Sequence, residues 1–395
     1  MIQPTKKAHN NSDILTAGIL IIAFLLSVRA VAGPPDKGGS SAWKLDATYK
    51  GDFAANFRGG IKSGATYLGL ADVFLYFDTQ KAGLWHGGEF LLHGADSHGG
   101  MPSAKLIGDY QVASDIEAGN HTFLYELWFR QTISQVTIII GLQDMNSEFA
   151  NCDVSSVFLN SSFGVHSVIG ANIGAPIFPL TSPGLTLGWN ANRNISFETA
   201  VYQGCPVDFS SNPHNLRWHL DDPDGFLWVA ESRFYLETNN QQNNVFKVGA
   251  FYHQHCEDED FINQELYSDP KNDYGFYLVG ENHMATLKNN RRNLNTFYQL
   301  GLTPRDNNFG YIGAGGSLSG LLSKDGSDVL GLAMARALMT KSTEKDETAF
   351  ELTWKVQLTK PVYLQPDIQY IIHPGGTDVS LKNAVAGFLR LGLEL

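Results

Sequence analysis

The sequence predicts an all-β protein, a transmembrane antiparallel β-barrel of about 16 strands. Three observations support this fold class. The N-terminus carries an export signal, segments of about ten residues alternate between apolar and polar side chains, and the composition is aromatic (12%) but poor in charge (17%). An exported chain with this pattern is typical of a barrel that has a lipid-facing exterior and a wet lumen.

The N-terminal segment has the order of a secretory signal peptide. Lys6 and Lys7 precede an apolar run, Ile14 to Val28, and the small residues Ala30-Val31-Ala32 follow it. The run would rise only ~22 Å as a helix, which is short of a ~30 Å hydrocarbon core, so cleavage is favoured over anchoring. The chain is therefore predicted to comprise a signal peptide (1–32), a short flexible lead (33–44) and a barrel domain (45–395).

Two-faced alternation is strongest in three successive segments near the C-terminus. In 384–395 the even positions and the odd positions form separate faces, and 350–358 and 362–372 behave in the same way. Side chains two residues apart on a strand share a face, so each segment predicts a strand with one lipid face. The same pattern recurs upstream in 123–130, 136–142, 195–202, 228–237 and 246–253.

Aromatic residues on the apolar faces favour a membrane barrel over a soluble β-sandwich. We expect these residues to lie in interfacial girdles: Tyr125, Phe129, Phe350, Trp354 and Tyr370. Open sheet edges cannot face lipid, so the sheet must close. The 363 residues after the signal peptide, at roughly 20–24 residues per strand and connection, give ~16 strands.

Turn-rich segments are predicted to connect the strands. They are Gly94–Gly100, Ser210–Asp224, Asn239–Asn244, Asn289–Asn293, Lys341–Glu347 and Pro374–Thr377. Two long loops, Ser210–Asp224 and Cys256–Asp273, could fold inward and narrow or close the pore.

Charge and cysteine content limit the other possibilities. The net charge is −12 with no basic patch, which argues against nucleic acid as a partner. The cysteine count is odd: Cys152 and Cys205 could pair in an oxidising compartment and leave Cys256 free, although sequence alone cannot fix the pairing.

No catalytic, cofactor or metal site is predicted. Gly316-Ser317-Leu318-Ser319-Gly320 resembles a hydrolase nucleophile elbow, but its central residue is leucine and the segment alternates like a strand. His253, His255 and Cys256 could be metal ligands, yet they lie where a strand runs into an acidic loop and are interpreted as incidental.

The polar faces supply the candidate pore-lining residues. A sugar has an apolar ring face surrounded by hydroxyl groups, so aromatic planes with charged hydrogen-bonding groups suit its chemistry. Glu126, Trp128 and Arg130 share one face of one strand, and Arg390 is expected near mid-height. The full candidate set is Glu126, Trp128, Arg130, Glu231, Arg233, Lys247, Lys355, Asp367 and Arg390.

Several segments, taken in order, resemble the carbohydrate-selective porins of the OprB type over nearly the whole barrel. They are Gly108–Ala118 (GDYQVASDIEA), Phe123–Gln131 (FLYELWFRQ), Gly141–Ala150 (GLQDMNSEFA), Asn160–Gly164 (NSSFG), Pro176–Pro179 (PIFP), Gly301–Asp306 (GLTPRD) and Gln365–Gly376 (QPDIQYIIHPGG). The resemblance implies a 16-stranded barrel, assembly as a homotrimer and no cofactor. Two features depart from the family: Gly94–His98 lacks the usual cation, and the chain ends in Leu395 rather than Phe.

The resemblance implies passive diffusion of mono- and oligosaccharides, or of similar small polar solutes, and of ions, across the outer membrane of a Gram-negative bacterium. Outer-membrane lipid is the second expected partner. Two alternatives are a structural or adhesive barrel with a plugged lumen and, with less support, a barrel hydrolase that uses Ser317 or Ser319.

Overall fold

The barrel predicted from the sequence is confirmed. A computed structural model describes residues 41–218, 225–238, 241–254, 272–287, 292–304, 308–323, 326–339, 345–376 and 380–395. Within these residues, 16 antiparallel strands pair in chain order, and the first strand pairs with the last to close the barrel.

The strands are as follows: β1 (Trp43–Gly60), β2 (Gly64–Asp78), β3 (Gly88–Gly99), β4 (His121–Ile133), β5 (Val136–Gln143), β6 (Ser182–Asn192), β7 (Ile195–Gln203), β8 (Phe226–Thr238), β9 (Gln241–Gln254), β10 (Asp273–Leu287), β11 (Arg292–Leu302), β12 (Asn308–Ser319), β13 (Val329–Met339), β14 (Glu347–Thr359), β15 (Val362–Ile372) and β16 (Lys382–Glu394).

The two faces of the wall differ as the alternation predicts. On β16, Leu389 and Leu391 point outward and are about two-fifths exposed, whereas Arg390 between them points inward and is buried. Phe350 and Tyr370 are neighbours on the outer face, as expected of girdle residues. Exposed apolar side chains on the outer face are what a lipid environment requires.

A β-bulge in β4 changes the face of one predicted girdle residue. His93 pairs with Glu126 but Gly94 pairs with Leu124, so Tyr125 is the extra residue and the strand changes phase there. Tyr125 consequently points inward, is buried and donates a hydrogen bond to Asp144 at 2.7 Å. The expectation that Tyr125 faces lipid is wrong, because a bulge shifts every side chain beyond it by one position.

Connections differ in length between the two ends of the barrel. At the turn end, 134–135, 193–194 and 360–361 are two-residue connections, and at the loop end the long segments 100–120, 144–181 and 204–225 occur. Outer-membrane barrels have short periplasmic turns and long external loops. Gly94–Gly100 was expected to be a turn, but residues through Gly99 belong to β3, where small residues still pair with β2.

Two loop-end segments, 100–120 and 144–181, fold into the barrel, and we call them the first and second inserts. The second insert contains two short helices, α1 (Met145–Glu148) and α2 (Ser167–Gly170). The described part of Ser210–Asp224 contacts the second insert at the loop end, where the buried Asn215 side chain donates to the Leu124 carbonyl oxygen and to Thr181. Most of Cys256–Asp273 lies outside the described residues.

The cysteines do not pair as suggested. Cys152 is a buried free thiol in the second insert, whereas Cys205 is disulfide-bonded, so a Cys152–Cys205 bridge is wrong. Burial raises the pKa of the Cys152 thiol to about 12. His255 and Cys256 lie outside the described residues, and His253 is buried on β9 with Nε2 2.7 Å from the Gly204 carbonyl oxygen.

No helix in the described part of the chain is long and apolar enough to cross a membrane.

Candidate solute pathway

The inserts form an apolar core with one side of the wall. In the second insert Phe149, Phe163 and Ile169 are almost fully buried against inward residues of the wall such as Val279 and Phe297. Burial of each large side chain stabilises this arrangement by about 1.5–3 kcal/mol. The inserts therefore have a fixed position inside the lumen.

Acidic residues of the wall hold the second insert through its backbone. Glu351 accepts bonds from the Leu159 and Asn160 amides at 2.6 and 3.0 Å. Glu281 accepts from the Val154 amide, and Glu231 from the Ala150 amide, at 3.0 and 2.9 Å. An irregular buried segment has unpaired N–H groups, and inward carboxylates supply acceptors for them.

Glu347 holds the first insert in the same way. Its carboxylate accepts bonds from the Tyr110 and Gln111 amides at 2.7 and 3.0 Å, and from the Gly375 amide at 2.7 Å. The loop between β15 and β16 is thereby tied to the same carboxylate. These wall glutamates form one system, which we call the anchor glutamates: Glu231, Glu281, Glu347 and Glu351.

His166 immediately precedes α2 in the second insert. Its ring is fully buried, and neither ring nitrogen has a hydrogen-bond partner among the described residues. The rings of Tyr277 and Tyr311 lie 5.6 and 5.2 Å away, measured between ring centroids. Burial lowers the pKa of His166 to about 3. Because the unfolded chain takes up this proton near pH 6.5, the contribution of a neutral His166 to stability falls as the pH drops below that value.

We therefore expect His166→Phe to remove one component of acid sensitivity. The wild-type protein should lose stability relative to the variant below about pH 6.5, approaching 1.4 kcal/mol per pH unit over this window. Urea unfolding midpoints at pH 7.5, 6 and 4.5 measure the difference. A constant difference between the two proteins across this range would contradict a buried neutral imidazole.

All nine candidate residues point inward, but the inserts cover several of them. Arg233 bonds to Glu231 and Glu198 at 2.6 Å each and to the Glu148 carbonyl oxygen. Lys247 is 3.1 Å from Glu281 and donates to Asn151. Asp367 and Arg390 are buried as well. These side chains have little surface left for a solute.

Arg130 differs because it keeps about 30% of its side chain exposed. Its Nη2 lies 2.5 Å from Oε1 of Glu148, in the second insert, and its Nη1 lies 3.6 Å from Oε2 of Glu89 on β3. The guanidinium stacks over the ring of Trp128 at 4.7 Å. The Trp128 indole N–H donates to Glu126 at 3.2 Å, which fixes the ring. Arg130 thus lies at the seam between the wall and the second insert.

Inward aromatic residues beside this seam were missed by the sequence analysis. Phe74 and Tyr76 on β2 stack at 6.3 Å with an interplanar angle of 10°, and both pack against the cluster that contains Trp128. In β2 both faces are apolar at this height, since Val73 and Leu75 point outward, so alternation could not reveal the inward pair.

The remaining partly exposed charges lie towards the turn end. Lys355 is 3.3 Å from Glu394 and its Nζ lies 4.0 Å from the centre of the Tyr363 ring. Lys50 approaches Asp115 of the first insert at 3.9 Å. Each of these cations has an acidic neighbour, so the described part of the pathway presents paired charges.

A closed barrel with an apolar outer face and polar inward groups beside its inserts defines the class of outer-membrane channels. The profile of the carbohydrate-selective porin, OprB family, matches residues 62–395. The chain belongs to this family and is an outer-membrane porin for carbohydrates, a channel rather than an enzyme. No curated protein sequence gives a significant match.

Solved structures share the fold at low sequence identity. The high-pH structure of Pseudomonas putida OprB superposes with a TM-score of 0.75 at 18% identity, covering 90% of this chain and 94% of that chain. An anion-selective porin from Comamonas acidovorans gives 0.56 at 9% identity, covering 90% and 100%. The channel DcaP of Acinetobacter baumannii gives 0.53 at 8% identity, covering 92% and 99%.

Proposed function

We propose that small neutral sugars cross the barrel along the β1–β4 side of the wall, past Arg130. The inserts cover inward apolar side chains opposite this side, such as Val279 and Ala335, and also on it, such as Leu68 and Phe123. Glu89, Arg130 and Lys50, towards the turn end, each keep 30–39% of their side chains exposed. The exposure of these charged groups is the observation that carries the proposal, because a water-filled path needs uncovered polar groups.

The chemistry at the seam suits a sugar. The partly exposed Phe74 and Tyr76 offer aromatic planes to the apolar face of a pyranose ring, and Arg130 with Glu89 offers donors and acceptors to its hydroxyl groups. Since the cation and the carboxylates neutralise one another, an uncharged polar solute loses little on entering. The remaining candidates, including Arg390 and Lys247, would act by holding the inserts.

We expect Arg130→Ala to weaken binding of sugar in the pore by about 10- to 100-fold, which is the loss of one charge-assisted hydrogen bond. Single-channel current in planar bilayers, measured with increasing glucose, gives the concentration that half-blocks the current. Arg130→Lys should restore the ionic current but only part of the block by glucose. A lysine ammonium keeps the charge but lacks the planar guanidinium that donates two parallel hydrogen bonds. Lys360→Ala, in the turn after β14, is the control for charge and should match the wild-type protein.

An unchanged half-blocking concentration in Arg130→Ala would contradict the proposed path. Absence of any conductance in the wild-type protein would instead favour the alternative of a structural barrel with a plugged lumen. For a hydrolase, Ser317 is a poor nucleophile because it is buried within β12, and no helix follows that strand in the described residues.

Three further features are proposed from the sequence and the resemblance. Residues 1–32 act as the signal peptide, so the mature protein should begin at Gly33 by N-terminal sequencing. The lead predicted over 33–44 is shorter than expected, because β1 already begins at Trp43. The barrel assembles as a homotrimer, which the mass of the detergent-solubilised protein tests. Small ions pass by the same route as sugars, and the bilayer currents measure them.

A further inference from the structure

An unpaired basic group lies at the loop end of the seam between β1 and β16. Arg58, Lys62, Lys105 and Lys382 are all exposed, and none makes an ion pair with a described residue. Cations elsewhere in the described wall are mostly paired, as Arg336 is with Asp346. In a chain of net charge −12, four unpaired cations in one sector are an unusual local excess.

The backbone brings these four residues together. Gly60 pairs with Lys382 across the seam, the Lys62 amide donates to the Leu106 carbonyl oxygen at 3.0 Å, and Lys105 is the next residue along the first insert. Asn56 fixes this junction by donating to the carbonyl oxygens of Lys62 and Leu106 at 3.1 and 2.9 Å. The cluster is therefore held by the fold and does not depend on a chance arrangement of long side chains.

A β-bulge turns part of the cluster towards the membrane. The register of β1 slips between Asn56 and Arg58, so Arg58 pairs with the outward Val385 beside Phe57, which is 62% exposed. Gly59 follows at a positive φ of 72°, and a Cβ there would lie 1.9 Å from the Asn383 carbonyl oxygen. Only glycine can adopt this φ and lie this close to the backbone of β16, so the bulge requires Gly59.

The outer surface below the cations is apolar. Phe57 and Ile61 are exposed on it, and Tyr370 accepts a hydrogen bond from Asn383 nearby at 2.9 Å. Exposed aromatic residues at the end of a lipid-facing wall mark the membrane interface, where lipid headgroups lie. Cations above an apolar surface match a phosphate group above acyl chains.

We propose that this sector binds the phosphate groups of an anionic membrane lipid, whose acyl chains lie against Phe57 and Ile61. Arg58 lies on the outer face of the barrel. Lys105 belongs to the first insert, and Lys382 pairs with Gly60, where a Cβ would point at Ile107 of that insert, so these two cations extend from the inner side of the rim. The site would fix a lipid at the seam where the first and last strands meet, next to the point where the first insert enters the lumen.

Native mass spectrometry of the purified full barrel in detergent tests the proposal, with diphosphorylated lipid A as the probe and the same lipid without phosphates for comparison. The wild-type protein should retain the phosphorylated form at much lower concentration. Combining Arg58→Gln, Lys62→Gln and Lys382→Gln should weaken retention by about 100-fold, at about fivefold per cation. The matched control combines Arg217→Gln, Lys345→Gln and Lys360→Gln, three exposed cations elsewhere, and should bind like the wild-type protein.

Each other outcome overturns the proposal. Equal weakening in both triple variants would show general charge attraction only, and equal retention of the dephosphorylated lipid would exclude phosphate recognition. Displacement of the lipid by millimolar inorganic phosphate would identify a site for free anions. Heat-modifiable migration on gels verifies that the variants are folded.

Discussion

Arg390→Met is expected to lower the free energy of unfolding by about 3–5 kcal/mol, because it leaves the buried Asp52 carboxylate without a cationic partner. Arg390 is 4% exposed and makes a two-pronged contact with Asp52, at 2.7 and 2.8 Å, and a third bond to Asp115 at 2.5 Å. Asp52 is fully buried and also accepts a bond from Ser114 at 2.8 Å. One guanidinium therefore joins β16, β1 and the first insert at the closure of the barrel.

Urea unfolding in detergent micelles measures this loss, and Lys355→Met is the matched control. Lys355 also points inward and pairs with a carboxylate, but Glu394 is half exposed, and such a pair contributes about 0–1 kcal/mol. Combining Asp52→Asn and Asp115→Asn with Arg390→Met should recover part of the lost stability. Equal shifts in the two single variants would contradict the role of burial at Arg390.

Glu351→Ala is expected to release the second insert and to widen the pore. The substitution leaves the Leu159 and Asn160 amides buried without an acceptor, at a cost of about 2–6 kcal/mol for the two groups. Adding Glu281→Ala removes the acceptor for Val154 and the partner of Lys247. Mean single-channel conductance and current noise should rise, and block by sugar should weaken, in both variants.

The controls for this prediction lie on the same strand. Glu351→Gln keeps one acceptor oxygen and should have an intermediate effect, whereas Gln357→Ala should have none because that side chain bonds only to the turn at Thr359 and Lys360. Wild-type conductance in Glu351→Ala would mean that apolar packing alone holds the second insert.

The barrel was predictable because its signal is local. A wall strand faces lipid on one side and the polar interior on the other, so its side chains must alternate with period two. Each strand is therefore visible within about ten residues of sequence, and the number of strands follows from the chain length. All nine candidate side chains point inward for the same reason. Tyr125 was assigned to the wrong face because a bulge depends on pairing with β3, which alternation within one strand cannot reveal.

The inserts were not predictable from local patterns. Their amides find acceptors far away in sequence, as Leu159 does on Glu351, so no spacing within the insert indicates its position. The motifs that carried the family resemblance do fall there: Gly108–Ala118 lies in the first insert, and Asn160–Gly164 and Pro176–Pro179 lie in the second. The resemblance thus marked the inserts, whereas alternation marked only the wall.

The role of individual charges also depended on the inserts. Glu231 and Lys247 were expected to contact solute, and the structure shows them bonded to Ala150 and Asn151 of the second insert. Arg130 is also an inward charge on an alternating strand, but it lies at the edge of the second insert, where it contacts Glu148. The exposed side chain of Arg130 distinguishes it, as a proposed solute contact, from the charges that hold the insert. This difference in exposure arises only when the insert packs against the wall, so the sequence pattern does not contain it.

Liposome swelling with sugars of graded size tests the central claim most directly, namely that a barrel narrowed by fixed inserts conducts sugars. Liposomes with the wild-type protein should swell in monosaccharides and progressively more slowly in di- and trisaccharides, and Glu351→Ala should reduce this dependence on size. Equal rates for all sizes in the wild-type protein, or no swelling in any sugar, would contradict it.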